Sequence, residues 1–321
     1  MKEQLVEAKE KSAPGRLEIQ SDEAGRRIDN FLIARLKGVP KSRIYRMLRT
    51  GEVRVNKGRV KPQYRLRCGD VVRLPPVVLE ERTAHPGVAR GMGRRLEDRV
   101  LYEDEVLLVL DKPAGMPVHG GSGLEGGVIE ALRSVRPDAR FLELVHRLDR
   151  DTSGCLLIAK KRPALRALHA QMRENAVDKR YLLLMTGTWR QRRRTVDVPL
   201  RKFVLQGGER LVRVDPEGKP SRTEFRRLGQ GKEATLAEAR LLTGRTHQIR
   251  VHAAWLGHPV AGDERYGDKA ANRHWRRQGL RRLFLHAWRL GFRHPASGAI
   301  MRIEAPLEPE LTNLLARLEI P

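Results

Sequence analysis

The stretch His146 to Lys160, HRLDRDTSGCLLIAK, concentrates residue types that do chemistry: Asp149 lies between Arg147 and Arg150 and is followed by Asp151, Thr152, Ser153 and Gly154. A carboxylate on a tight loop at the edge of a strand is held still by the sheet, which is how a fold presents a reactive group. The competing reading is a charged turn in which Asp149 only salt-bridges an arginine. A second dense stretch, LLTGRTHQIRVH from Leu241 to His252, makes a tight turn at Thr243 and Gly244 that delivers Arg245, Thr246, His247 and Gln248 to the start of a helix. His247 and His252 are five residues apart, which is not the i, i+4 pair that holds zinc on one helix face. Cys68 and Cys155 are isolated, so neither a disulfide nor a cysteine zinc site is expected, and both read as reduced, partly buried thiols. Gly121, Gly123 and Gly126 spell GxGxxG but begin well after the preceding strand, so a flexible loop near the substrate is expected there and a dinucleotide site is not.

These residues need a sheet to hold them. Cys155 to Ala159 reads as a buried strand, as do Val106 to Leu110, the run DKRYLLLMTG that carries Tyr181, and LHAWRLGF near the end. Taken alone, Tyr181 is a core tyrosine with a satisfied hydroxyl. Helices are expected over Val128 to Arg136 and over Arg162 to Asn175, where Leu165, Leu168 and Met172 share a face; PLEPELTNLLARL closes the chain as a third. Residues 195 to 240 read as strands of a twisted sheet, with no clear role for Lys219, Ser221 or Thr223. Arg190 to Arg194 reads as an exposed hairpin tip touching phosphate, Arg273 to Arg282 around Trp275 as a further basic patch, and Gly262, Asp263 and Tyr266 as a turn of simple loop architecture.

A smaller module precedes this sheet. Residues 1–16 are polar and charged and read as a flexible arm. Over 17–76 a short strand, LEIQ, leads to a helix from Arg27 to Leu36 and another from Lys41 to Arg49 capped by Gly51, then a hairpin that turns at Asn56 to Gly58. Arg27, Lys41, Arg43, Arg46, Arg49, Arg54, Lys57 and Arg59 give it a phosphate-tracking surface. Residues 77–98 are rich in Gly, Pro and Arg without periodicity and read as a linker, leaving 99–321 as the larger domain.

The composition agrees. In 321 residues there are 64 Lys and Arg against 39 Asp and Glu, a net charge of +25 spread along the chain, so the expected partner is a polyanion. No apolar run of membrane-spanning length and no signal-peptide core follows Met1, so no membrane partner and a cytoplasmic location are expected.

The runs RRIDNFLIARL, VPKSRIYRMLRTGEVRVNKGRVK and GDVVRLP resemble the S4 RNA-binding domain. HRLDRDTSGCLLIAK, DKRYLLL, LLTGRTHQIRVH and GHPVAGDERYG, in this order, resemble the signatures of the large-subunit "A" family of pseudouridine synthases, with Leu183 departing from the small residue that the family often carries. The resemblance implies an α+β fold, with a mixed, mostly antiparallel twisted sheet around a central catalytic cleft and a small S4 domain at the N-terminus. It implies isomerisation of selected uridines in RNA, the glycosidic bond moving from N1 to C5, with neither cofactor nor metal. By resemblance Asp149 is the catalytic aspartate, acting as nucleophile or as base toward the sugar, and Arg245 pairs with it and keeps it aimed. Tyr181 would lie against the target base, Ile249 would form an apolar floor beneath it, and Arg147 would fill the gap left by an extruded uridine. The implied partner is 23S ribosomal RNA or its precursor particle, met by a monomer, with several uridines modified. Transfer RNA as substrate, and a non-catalytic RNA-binding assembly factor on the same fold, are the alternatives. A protein-kinase loop is excluded, because the chain lacks His-Arg-Asp and a downstream Asp-Phe-Gly.

Overall fold

The computed structural model describes residues 15–21, 23–36, 39–76, 86–120, 126–204 and 210–320, and the chain divides into two compact units, Met1–Thr83 and Ala84–Pro321. The expected N-terminal arm lies outside the described residues up to residue 14, and its last two residues, Gly15 and Arg16, belong to a strand. The glycine loop expected near the substrate falls at 121–125, also outside them.

The first unit runs β1 (Gly15–Glu18), α1 (Ile28–Arg35), α2 (Lys41–Thr50), β2 (Arg54–Val55) and β3 (Val71–Leu74), with an antiparallel sheet in the order β1-β3-β2. Ile28, Phe31 and Leu32 recur at helical spacing, and the face they make on α1 is buried with Ile44, Met47 and Leu48 of α2 and with Val53, Val55 and Val72. Helix α2 stops at Gly51, whose φ is 76°. Cys68 is exposed, so the expectation of a partly buried thiol holds for Cys155 and not for Cys68, which sits in a solvent-facing turn.

The second unit runs α3 (Pro86–Glu97), β4 (Val100–Glu103), β5 (Leu107–Lys112), α4 (Val128–Val135), β6 (Glu143–Leu144), β7 (Ser153–Ala159), α5 (Arg162–Arg173), β8 (Asp178–Thr186), β9 (Arg193–Asp197), β10 (Leu200–Val204), β11 (Arg210–Val214), β12 (Arg222–Gln230), β13 (Ala234–Leu241), α6 (Gln248–Trp255), α7 (Lys269–Arg277), β14 (Leu285–Arg293), β15 (Ile300–Glu304) and α8 (Pro309–Arg317). Ten strands form one sheet in the order β4-β5-β7-β14-β8-β13-β12-β9, with β6 on β7 and β15 on β14; β10 and β11 make a separate hairpin. Strands β7 and β14 pair in parallel and the other pairs are antiparallel.

Strand β7 is buried along its whole length because both faces of the sheet are covered there. Leu156 and Ile158 face a core shared with Val128, Ile129 and Leu132 of α4, whereas Cys155 and Leu157 face one shared with Leu168 of α5. Gly154 opens this strand with φ 103°, and a Cβ on it would stand 2.3 Å from the carbonyl oxygen of Ala287 on β14, so the parallel pairing needs glycine.

Two expectations are corrected. Residues 86–97, read as linker, form α3 inside the second unit. The glycines that suggested a linker serve close packing, since a Cβ on Gly93 would meet Ala131 O at 2.5 Å on α4. Arg190 to Arg194 is exposed, but it is not a hairpin tip: β8 and β9 are separated in the sheet by β13 and β12, so the segment crosses to an edge strand.

Candidate active site

The Asp149 loop is fastened at both ends. Val145 N–H donates to Leu157 O at 3.0 Å, and His146 Nε2 accepts the Leu157 N–H at 3.1 Å, so the entry to the loop rides on β7. Thr152 N–H donates to Asp149 O at 3.2 Å and closes the turn. Arg150 Nε reaches Gly115 O at 2.9 Å, and Lys112, fully buried, donates from Nζ to Pro113 O, Met116 O and Arg150 O at 2.8, 2.8 and 3.0 Å. Burial pushes Lys112 down to about 7 and His146 down to about 4, which leaves the imidazole neutral and able to accept through Nε2. With Val145 and Leu148 packed inward, the Asp149 side chain stays 25% exposed.

Facing the loop is the N-terminal turn of α6. Gln248 locks it: its Oε1 accepts from Thr243 Oγ1 at 2.8 Å and Arg245 N–H at 3.0 Å, while its Nε2 donates to Thr223 Oγ1 at 2.9 Å and Arg222 O at 3.0 Å. His252, one turn on, is buried between Thr223 Oγ1 at 2.9 Å and Ser221 Oγ at 3.0 Å. Burial pushes its imidazole down to about 4. Ser221 and Thr223, without a clear role in the sequence, therefore seat this helix.

The helix presents Arg250 to the carboxylate, with Arg250 Nη1 3.8 Å from Asp149 Oδ2. Arg250 is itself gripped by Asp263 through two hydrogen bonds of 2.7 Å, with side chains 8% and 0% exposed. Burial works against the Arg250 charge, but the hydrogen bonds and negative charge of Asp263 outweigh it and raise its affinity for the proton. His247 Nε2 stands 3.9 Å from the same Asp149 Oδ2. Asp149, Arg147, Tyr181, Arg245, His247, Ile249 and Arg250 line one cavity of about 500 Å³.

Five of these were expected from the sequence: Asp149, Tyr181, Arg245, Arg147 and Ile249 all line the cavity. Arg147 is exposed, Ile249 is buried, and Tyr181 is buried with its hydroxyl raised above its ordinary value, first by burial and then by Asp149. The expected ion pair is corrected. Arg245 Nε donates to Pro220 O at 3.0 Å, and the arginine that approaches Asp149 is Arg250. Arg245 precedes α6 and, though it lines the cavity, spends its Nε on Pro220 O, whereas Arg250 on α6 reaches the carboxylate. Asp263, read as loop architecture, is the buried partner of Arg250. A basic residue directly after Ile249 and an acid in the following GDERYG run were the available signals.

A larger cavity, about 690 Å³, opens where Asp178 and Arg180 of β8 point. Lys179 and Tyr181 alternate with them and line the Asp149 cavity, so the two lie on opposite faces of the sheet. In the first unit Arg27 is bound to Asp29 at 2.6 Å and Arg43 to Glu52 at 2.6 Å, while Arg46, Arg49, Lys57 and Arg59 are exposed. Arg54 Nε donates to Gly51 O at 3.2 Å, and Lys41 opens α2. Among the described residues, no three His, Cys, Asp or Glu side chains gather as metal ligands, and no helix is long and apolar enough to cross a membrane.

By its similarity to known proteins the chain belongs to the RNA pseudouridylate synthase family, a family of isomerases. Residues 106–255 match that family and residues 26–72 match the S4 domain. The chain is 57% identical to the ribosomal large subunit pseudouridine synthase C of Pasteurella multocida (strain Pm70) over 304 residues, covering 94% of this chain and 93% of the relative. It is 56% identical to the protein of the same name from Escherichia coli (strain K12) over 305 residues, 94% of this chain and 95% of that one. Among solved structures, human RNA pseudouridylate synthase domain containing 4 shares the fold with a TM-score of 0.62 at 24% identity, over 73% of this chain and 98% of that chain.

Proposed function

We propose that the protein converts several uridines of 23S ribosomal RNA, or of its precursor particle, to pseudouridine, with Asp149 as the catalytic residue. The observation that carries the reading is the opposition of Asp149 and Arg250 in the cavity floored by Tyr181 and Ile249. Support for the RNA target comes from relatives named for the large ribosomal subunit. The uridine N1–C1′ bond breaks, the base turns, C5–C1′ forms, C5 gives up its proton and N1 takes one up, so the product is an isomer of the substrate; Asp149 assists as nucleophile or as base toward the sugar. The cation at 3.8 Å attracts that carboxylate and holds it in one orientation. Tyr181 lies against the base and keeps its phenolic proton for transfer. Arg147, exposed at the rim, fills the space of the flipped nucleotide, and Arg245 meets the RNA backbone beside it.

The reading takes the protein to act as a monomer, and ribosomal RNA as substrate favours a cytoplasmic location. The test is tritium release from unmodified 23S RNA carrying C5-tritiated uridine. Wild type should release tritium, and Asp149→Asn should lose about 10²–10⁴-fold or more in rate while still binding RNA. Equal rates would end the proposal, and faster release from transfer RNA than from 23S RNA would reassign the substrate.

A further inference from the structure

The Asp149 cavity holds a titratable side chain that the proposed mechanism leaves unused, His247, and its surroundings fix what it can do. Tyr266 Oη lies 2.7 Å from His247 Nδ1 and also accepts the backbone N–H of Val212 at 3.1 Å. A phenol has one proton. Val212 already donates to its oxygen, and with the phenolic proton on the Nδ1 contact a neutral His247 carries its own hydrogen on Nε2, so that an N–H and not a lone pair faces Asp149 Oδ2 at 3.9 Å. The ring is further held edge-to-face on Tyr266, at a centroid distance of 5.5 Å. The backbone of His247 is left-handed, with φ 54° in a non-glycine residue, a conformation that costs energy and is kept where the surroundings demand it.

We infer that His247 is a positioning residue for Asp149: it acts as a neutral imidazole whose Nε2–H faces the Oδ2 oxygen, in a tautomer set by Tyr266. The inference rests on the reading of Asp149 as the catalytic residue. The gap of 3.9 Å is longer than a hydrogen bond, as is common before a substrate closes the site or a water bridges it. Val212 belongs to the β10–β11 hairpin, and Leu200 and Val212 of that hairpin pack on Val251 of α6 with Tyr266 against them. Exposed Arg201, Lys202 and Arg213 lie on the same hairpin, so an RNA backbone seated there bears on the segment that orients Tyr266.

The charged groups around His247 are Asp149 from the loop, Arg250 from α6, and Asp263 and Arg265 from the following turn. Burial pushes His247 below its ordinary value; Asp149 and Asp263 oppose this, and Arg250 and Arg265 reinforce it. The hydrogen bond from Tyr266 favours the neutral ring as well. An imidazolium here would draw Asp149 into an ion pair and blunt it as nucleophile or base.

The experiment is single-turnover tritium release from 23S RNA against pH, on the full chain. Tyr266→Phe removes one hydroxyl; it should slow the reaction by about tenfold, the worth of one hydrogen bond, leave RNA affinity unchanged, and move the acid limb of the profile to higher pH. His247→Asn keeps a side chain that tolerates the left-handed backbone and should abolish the His-dependent part of that limb. A Tyr266→Phe profile that superimposes on wild type, or an unchanged acid limb in His247→Asn, overturns the inference. Full activity in Asp149→Asn would instead overturn the reading beneath it.

Discussion

Arg250 touches two carboxylates of different character: Asp263, fully buried and bound through two hydrogen bonds of 2.7 Å, and Asp149, a quarter exposed and 3.8 Å away. The tight pair is a mount and the loose one a working contact. Removing Asp263 leaves a buried guanidinium without its partner, so Asp263→Asn should lower the stability of the second unit by about 3–5 kcal/mol, read by urea denaturation. An unchanged midpoint would show that the pair contributes nothing net.

The two arginines of the LLTGRTHQIRVH stretch should separate kinetically. Arg250→Gln removes the cation beside Asp149 and should lower the single-turnover rate by about 10²-fold or more. Arg245→Gln loses a bond to Pro220 O and a rim charge, so its effect should fall on RNA affinity. A larger rate defect in Arg245→Gln would restore it as the partner of Asp149.

His252 predicts an acid limb in stability. Its folded-state value of about 4 lies below the ordinary 6.5, so between those values the unfolded chain binds the proton and the folded chain does not. Stability is intact above pH 6.5 and is lost as pH falls toward 4, by at most about 3 kcal/mol for this residue. His146 acts in the same direction and window. Chemical denaturation of wild type and His252→Asn between pH 7 and 4 should show a shallower loss in the variant. Parallel curves would mean that the imidazole is not the group titrating.

RNA affinity should fall with salt by about 0.7–0.9 log units per log unit of salt for each phosphate neutralised. Arg46→Gln and Arg49→Gln should flatten that slope by about one such increment each, because both side chains are exposed. Arg27→Gln should change it less, since Asp29 already engages that guanidinium at 2.6 Å. Equal changes in all three would show that RNA displaces Asp29.

The sequence exposed Asp149 because acid, arginines, turn residues and a buried strand are contiguous there, whereas Tyr181 at the head of an apolar run read as a core tyrosine and was singled out only by the family resemblance. Arg250 and Asp263 were illegible for a physical reason: each has an ordinary local setting, a cation inside a helix and an acid in a turn, and they become a pair only when the turn after α6 folds back. The α3 helix was hidden because its glycines read as loop signals, whereas Gly93 is there to let α4 approach. The Ser221–His252–Thr223 cluster was hidden in the same way, three unremarkable polar residues made specific by burial.

The parallel pairing of Ser153 and Gly154 with His286 and Ala287 sets a schedule for the protein's own synthesis. Strand β7, which begins just after the Asp149 loop, pairs with β5 and β6, both earlier in the sequence, but its parallel neighbour along Ser153 and Gly154 comes only with β14. Until then the Ser153–Gly154 end of that edge lacks its partner, while Ile158 and Ala159 are already flanked by β5 and β6. The start of β7, and with it the exit of the Asp149 loop, therefore acquires its parallel neighbour only after α6 and the turn that carries Asp263 have been synthesised.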